Sequence, residues 1–181
     1  MRFAPGEKNQ DPLTAARSVA TTLGLQVRNP KRSSYGATEV DVFAPSSGDF
    51  QTFLSAIEPL AKVEFVHDLN EAPKHATDEE VLRDARELFN SERYWECHEV
   101  LEGLWRVKQG PEKNLLQGLI LVCAGLVHHQ KSKDQVGIGV LRRAAIQLEY
   151  PDPLYHGIDL SNLRSEVAEI IRSGRFAVFA V

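Results

Sequence analysis

The sequence is poor in sulfur: 181 residues contain two cysteines, Cys97 and Cys123, and a single methionine. Both cysteines sit in apolar helical stretches without metal-type spacing, which excludes a disulfide scaffold and a cysteine-based zinc module and leaves reduced core residues as the expectation. Long apolar runs are also missing. The longest, 115–127, is shorter than the roughly 20 residues that span a bilayer, so no membrane partner is expected. The opening MRFAPGEKNQDP carries no apolar secretory stretch, and the cytoplasm is the expected location. Positive charge is in deficit, 21 Lys and Arg against 25 Asp and Glu, which argues against a broadly basic surface and so against nucleic acid as partner. Gly-x-Gly-x-x-Gly, the phosphate loop and Gly-x-Ser-x-Gly are absent, removing the common nucleotide-binding and serine-hydrolase signatures.

What is present is enough apolar residue, 43%, to build one or two cores. The expected fold class is α+β: a small N-terminal ferredoxin-like α/β sandwich over 1–70, a linker at 71–76, an all-α bundle of about five helices over 77–174, and an apolar tail at 175–181. In the first part, Asp11-Pro12 caps a helix over 12–23 that Gly24 stops. Strands at 25–28 and 38–44 form a hairpin whose turn holds Asn29-Pro30 and Tyr35-Gly36. Phe50, Phe53, Leu54 and Ile57 give a helix over 47–60, and Val63 and Phe65 alternate in a strand at 62–67. A short first strand at 2–4 completes βαββαβ. Arg28, Lys31, Arg32 and Tyr35 read as a solvated basic loop.

After Thr77 the pattern is helical. Thr77 and Glu80 make a capping box, and helices follow at 92–107, 112–131, 134–149 and 160–172. On a wheel of about 100° per residue, with His98 at zero, Glu102 falls near 40° and Trp105 near 340°. The three form one stripe bordering the apolar face of Tyr94, Cys97, Leu101 and Leu104, while Glu99 stands further round. The next helix is apolar almost all round yet carries Gln117, on a stripe with Leu121, Ala124 and His128. If the two helices pack antiparallel across Gly110-Pro111, the His98/Glu102 edge faces part of the Gln117/His128 stripe.

Two accounts fit that stripe. In one, His98 and Glu102 are a local helix pair, Gln117 ties helices together, and Trp95 and Trp105 are packing anchors. In the other, His98 and Glu102 are catalytic, Glu99, Trp105, Gln117 and His128 bind, and a divalent metal, if any, sits on His98, Glu102 and His128. The spacing is not His-Glu-x-x-His. His67, His75, His129 and His156 belong to no readable constellation.

The run Phe89-Asn90 followed by Tyr94-Trp95-Glu96-Cys97-His98-Glu99-Val100-Leu101-Glu102-Gly103-Leu104-Trp105-Arg106 resembles the family catalogued as domain of unknown function 309. The family signature His-x-x-x-Glu-x-x-Trp is matched by His98, Glu102 and Trp105, its Gln-Gly pair by Gln117-Gly118, and a later histidine by His128. Cys97 stands where alanine is common, and Gly137-Ile138-Gly139 where Gly-Ala is usual. The resemblance covers roughly 78–148. It implies a helical, cytoplasmic protein with proposed enzymatic or metal-dependent activity and no established reaction.

The function expected is therefore a small hydrolase-like or ligand-binding enzyme for an unknown small molecule, its site between the second and third bundle helices, with Glu102 as acid/base and Gln117 orienting. The alternative is a helical-hairpin interaction module without catalysis, although no period near 34 residues repeats along the chain. Phe176, Val178 and Phe179 should dock the tail, either on the N-terminal sheet as an edge strand or in a groove of a neighbouring subunit, making a homodimer.

Overall fold

A computed structural model describes residues 1–5, 11–66, 68 and 77–181, so the linker expected at 71–76, and with it His67 and His75, lies outside the described residues. The architecture is mixed and mostly helical, and the chain divides into two compact units, Met1–Glu71 and Ala72–Val181.

In the first unit the element order is β1 (Arg2–Phe3), α1 (Pro12–Thr22), β2 (Gln26–Arg32), β3 (Thr38–Phe43), α2 (Ser47–Ile57) and β4 (Val63–Phe65). The strands form an antiparallel sheet in the order β2-β3-β1-β4. Local chemistry sets the helix starts. Asp11 accepts from the Thr14 amide at 3.1 Å with Pro12 at the first helical position, and Ser46 accepts from the Asp49 amide at 3.2 Å. Phe3, Ala16, Val40, Phe53 and Ile57 fill the core of the unit, each fully buried, and the larger of these side chains contribute about 1.5–3 kcal/mol each on burial.

The hairpin differs from expectation. Asn29-Pro30 is no turn; it lies within β2, where the register with β3 shifts between Arg28 and Lys31, and the reversal comes only at 33–37. A bulge accommodates the missing proline N–H, which is why a turn dipeptide can sit in a strand. Nor do the basic residues form a loop: Arg28, Lys31 and Arg32 lie in β2, and of them Arg28 and Arg32 are exposed. Lys31 is buried, 3.8 Å from Glu39, which also pairs with buried Arg2 at 3.4 Å. Arg32 bridges to Asp11 at 2.7 Å.

The second unit runs α3 (Asp78–Asn90), α4 (Tyr94–Val107), α5 (Gly110–Gln130), α6 (Asp134–Gln147), a minimal hairpin of β5 (Leu154–Tyr155) and β6 (Ile158–Asp159), and α7 (Leu160–Ser173). The hairpin has no sequence pattern long enough to read. The capping box forms: Thr77 Oγ1 accepts from the Glu80 amide at 3.2 Å and the Glu80 carboxylate accepts from the Thr77 amide at 3.1 Å. No helix among the described residues is long and apolar enough to cross a membrane. α5 is buried almost all round, and α6 packs on it backbone to backbone. A Cβ on Gly137 would stand 2.7 Å from the Gly125 carbonyl oxygen.

The helices come as two hairpins with the same turn. Glu92 and Ser132 both have left-handed φ, 55° and 56°, rare for residues other than glycine. Arg93 donates to the Leu88 carbonyl at 2.9 Å, as Lys133 does to that of His128 at 2.9 Å. The carbonyl of Glu92 is then taken by the Gln130 amide at 2.8 Å, so the second hairpin holds the turn of the first.

The tail docks on its own helical unit. It forms no strand, and Phe176, Phe179 and Val181 pack on the core of that unit.

Candidate functional site

The crossing of α4 and α5 is pinned at their junction. Lys108 lies 2.5 Å from Asp78 and 3.2 Å from Glu112, and the hydrogen bond to Asp78 foremost raises its pKa. Tyr155 donates to Glu112 at 2.7 Å; burial, then that bond, pushes the phenol well above its usual range. These four residues were not legible in the sequence, because they come from separate segments with no shared spacing.

Two contacts then fix how the helices run past each other. Near the junction, the Lys113 ammonium stands over the Trp105 ring, 4.4 Å from its centre. Further along, the Cys123 thiol meets the Cys97 sulfur at 3.3 Å. Moving one turn back along α4 from Trp105 reaches Glu102 and then His98, while one turn on along α5 from Lys113 reaches Gln117 and then Leu121. Gln117 is thus level with Glu102 along the helix pair, each on a half-buried stripe.

His98 is held on three sides. Its ring stacks on Trp95 at 5.3 Å between centres and 8° between planes, its Nδ1 lies 3.2 Å from Glu99 Oε1, and its Nε2 lies 3.7 Å from Glu102 Oε1. The last distance is an ion-pair separation rather than a hydrogen bond, so Nε2 keeps room for another partner. Glu102 Oε2 accepts from Arg106 at 3.1 Å. The His98 side chain is only 16% exposed and that of Glu102 35%. Gln117 is half-buried, and its amide reaches solvent and makes no hydrogen bond to the described residues.

Several expectations change here. Glu99, placed on a different face by the wheel, reaches His98, because a rotamer swing spans adjacent positions that an angle count separates. Trp95 is no packing anchor: it is exposed at the surface and serves as the plate under the imidazole. Trp105 is half-buried against the core, as an anchor should be. His128 does not join His98 and Glu102. Leu121 is the α5 residue level with His98, and His128 lies seven positions on, about 10 Å along the axis at 1.5 Å per residue. Its Nδ1 is buried without a partner, and its pKa is lowered, by burial first and by Lys131 and Lys133 after it. Among the described residues no three His, Cys, Asp or Glu side chains converge to hold a metal ion.

Sequence reasoning did not single out Arg106, Lys113 or Trp95 as parts of this edge. Arg106 is readable afterwards as Glu102 plus four, and Lys113 only once the helix register is known.

The chain is similar to an uncharacterized protein of Aquifex aeolicus (strain VF5), 26% identical over 93 residues, which are 51% of this chain and 28% of that protein. This chain therefore matches under a third of that relative's length. It is also similar to a conserved hypothetical protein from Thermus thermophilus of known crystal structure, 35% identical, with 54% of this chain and 99% of that one covered and a TM-score of 0.44. Residues 82–139, from α3 into α6, match the model of the Domain of unknown function (DUF309), and this part of the chain belongs to that family.

Proposed function

We propose that the α4–α5 edge binds a small polar molecule and transfers a proton to or from it, hydrolysis being the least demanding reaction of this kind. His98 Nε2 is the proton acceptor and donor, Glu99 and Glu102 hold and polarise the imidazole, Trp95 fixes its plane, and Gln117 orients the substrate or a water. The observation that carries the reading is the imidazole of His98, its side chain only 16% exposed, stacked on Trp95 and flanked by Glu99 and Glu102, with Nε2 keeping room for another partner. The metal set has no support in this geometry, because His128 lies too far along α5.

The test is hydrolysis of a panel of p-nitrophenyl acetate, butyrate and phosphate. Turnover of at least one is expected and should fall by about 100-fold in His98→Ala, the lower end of what a positioned acid/base contributes. Turnover that survives in His98→Ala and Gln117→Leu alike sinks the assignment, as does no turnover with any ester.

We also read the N-terminal unit as a ferredoxin-like sandwich. The strand order β2-β3-β1-β4, antiparallel throughout and interleaved with two helices, supports that reading.

A further inference from the structure

Gly174, with φ 70°, ends α7 in a left-handed turn that glycine adopts without strain, and the chain leaves the helix there. Beyond it Phe176, Phe179 and Val181 turn inward while Ala177, Val178 and Ala180 remain exposed. Phe176 stacks flat on His129 at the end of α5, 4.3 Å between ring centres and 6° between planes. Phe179 meets Phe89 of α3 at 5.4 Å. Val181 closes an apolar cavity that Ala85, Phe89, Cys97 and Leu163 help to line.

The main chain of the tail is gripped separately, by exposed side-chain amides on two helices. Asn90 accepts from the Val181 amide at 3.0 Å and donates to the Val181 carbonyl at 3.4 Å. Asn162 donates to the Ala180 carbonyl at 3.0 Å. One carboxamide that takes both the N–H and the main-chain oxygen of the same residue grips main chain rather than side chain. Neither helix needs these amides for itself. α3 closes through its own backbone, Ser91 donating to the Glu87 carbonyl at 3.1 Å, and α7 is capped by Asp159, which accepts from the Asn162 backbone amide at 2.9 Å. Main-chain clamps combined with side-chain seats at set spacing are the two components by which a protein recognises an extended peptide.

We propose that this face of the helical unit is a peptide-binding groove, with the chain's own tail as its resident ligand. It takes in trans an extended segment of a partner protein bearing two aromatic residues three apart and an aliphatic residue two further on. The groove is separate from the His98 edge and does not depend on any reaction there. While the tail is seated, the linkage through Gly174 gives it an effective concentration in the millimolar range, and a partner segment must outcompete that.

The test uses a fluorescent synthetic peptide of residues 175–181 and the full-length chain with its tail dislodged by Phe176→Asp and Phe179→Asp. Saturable binding to this variant is expected, at least about tenfold tighter than to the wild-type chain, whose own tail competes. A peptide with both phenylalanines changed to alanine should not bind, adding Asn90→Ala should weaken binding by about tenfold for two lost hydrogen bonds, and adding His98→Ala should leave it unchanged. If the variant folds poorly, the peptide should restore a cooperative melt during refolding. A folded variant that does not bind overturns the proposal, and so does a failed rescue. Equal binding of the alanine peptide marks non-specific adsorption and overturns it too.

Discussion

The ammonium of Lys113 stands 4.4 Å from the centre of the Trp105 ring, and this contact sets which residues of α4 and α5 face each other. Lys113 is half-buried, so the cation is partly desolvated and the interaction is worth about 0.5–1 kcal/mol. Lys113→Gln should lower stability by that amount in chemical unfolding. If stability holds but any turnover at His98 drops, the contact positions the edge without stabilising the fold.

Gln117→Leu should change stability by less than about 0.5 kcal/mol, because the amide has no partner to lose and the leucine gains apolar contact. A structural amide would behave differently, leaving its partner unsatisfied and costing about 1–3 kcal/mol. Urea unfolding of the two proteins decides, and a large loss places Gln117 in the architecture rather than the site.

This contrast shows what the sequence could and could not convey. Periodicity put His98, Glu102 and Trp105 on one stripe and Gln117 on another, since a helix wheel is a property of one segment. It could not place the stripes against each other. That register comes from Trp105 on Lys113 and Cys97 on Cys123, contacts between segments, and it is the register that removes His128 from the metal set. Helix starts at Asp11-Pro12 and Thr77 were legible because caps are local chemistry. The bulge at Asn29-Pro30 was misread for the same reason: the dipeptide signals a turn locally, and only its pairing with β3 shows that the strand continues.

Two helical glycines should respond oppositely to alanine. Around Gly103 nothing lies within 4 Å of an added Cβ, and it is exposed in mid-helix, so Gly103→Ala should stabilise by about 1 kcal/mol. At Gly137 the added carbon would meet the Gly125 carbonyl at 2.7 Å and the Phe176 ring at 2.8 Å, and backbone cannot retreat as a side chain can. Gly137→Ala should cost about 1–3 kcal/mol and loosen the tail. Melting temperatures that move the same way for both would contradict this packing.

His128 makes stability depend on pH in a definite direction. Its folded pKa lies below the ordinary histidine value, by burial first and by Lys131 and Lys133 next, so the unfolded chain binds the proton more readily. Its neutral form is stable above the unfolded pKa of about 6.5, and stability is lost as pH falls below that value towards the lower folded pKa. His128→Gln should remove this part of the acid loss. Subtracting its pH–stability curve from that of the wild type isolates the contribution, and a difference that is flat between neutral pH and about pH 5 refutes it.

Cys97 and Cys123 should be silent in the native protein. The two are 2% and 1% exposed, their sulfurs are 3.3 Å apart, and the Cys97 thiol also donates to the Ala85 carbonyl at 3.2 Å. Pairing with Cys123 first, and burial second, holds the Cys97 thiol well above its usual pKa, so almost no thiolate exists to attack a reagent at neutral pH. Both thiols should resist a chromogenic disulfide reagent in buffer and react together in guanidinium. Because neither is near the surface, the labelling rate in buffer should follow unfolding of the helical core and rise with denaturant in step with it. Dislodging the tail gives a sharper comparison, since Val181 and Cys97 line the same cavity. With Phe176→Asp and Phe179→Asp the wall of that cavity opens, and Cys97 and Cys123, which both line it, should become reactive before the core melts. Rapid labelling of either thiol in the wild-type chain would show that the α4–α5 seam opens without unfolding, and the register deduced from it would no longer stand.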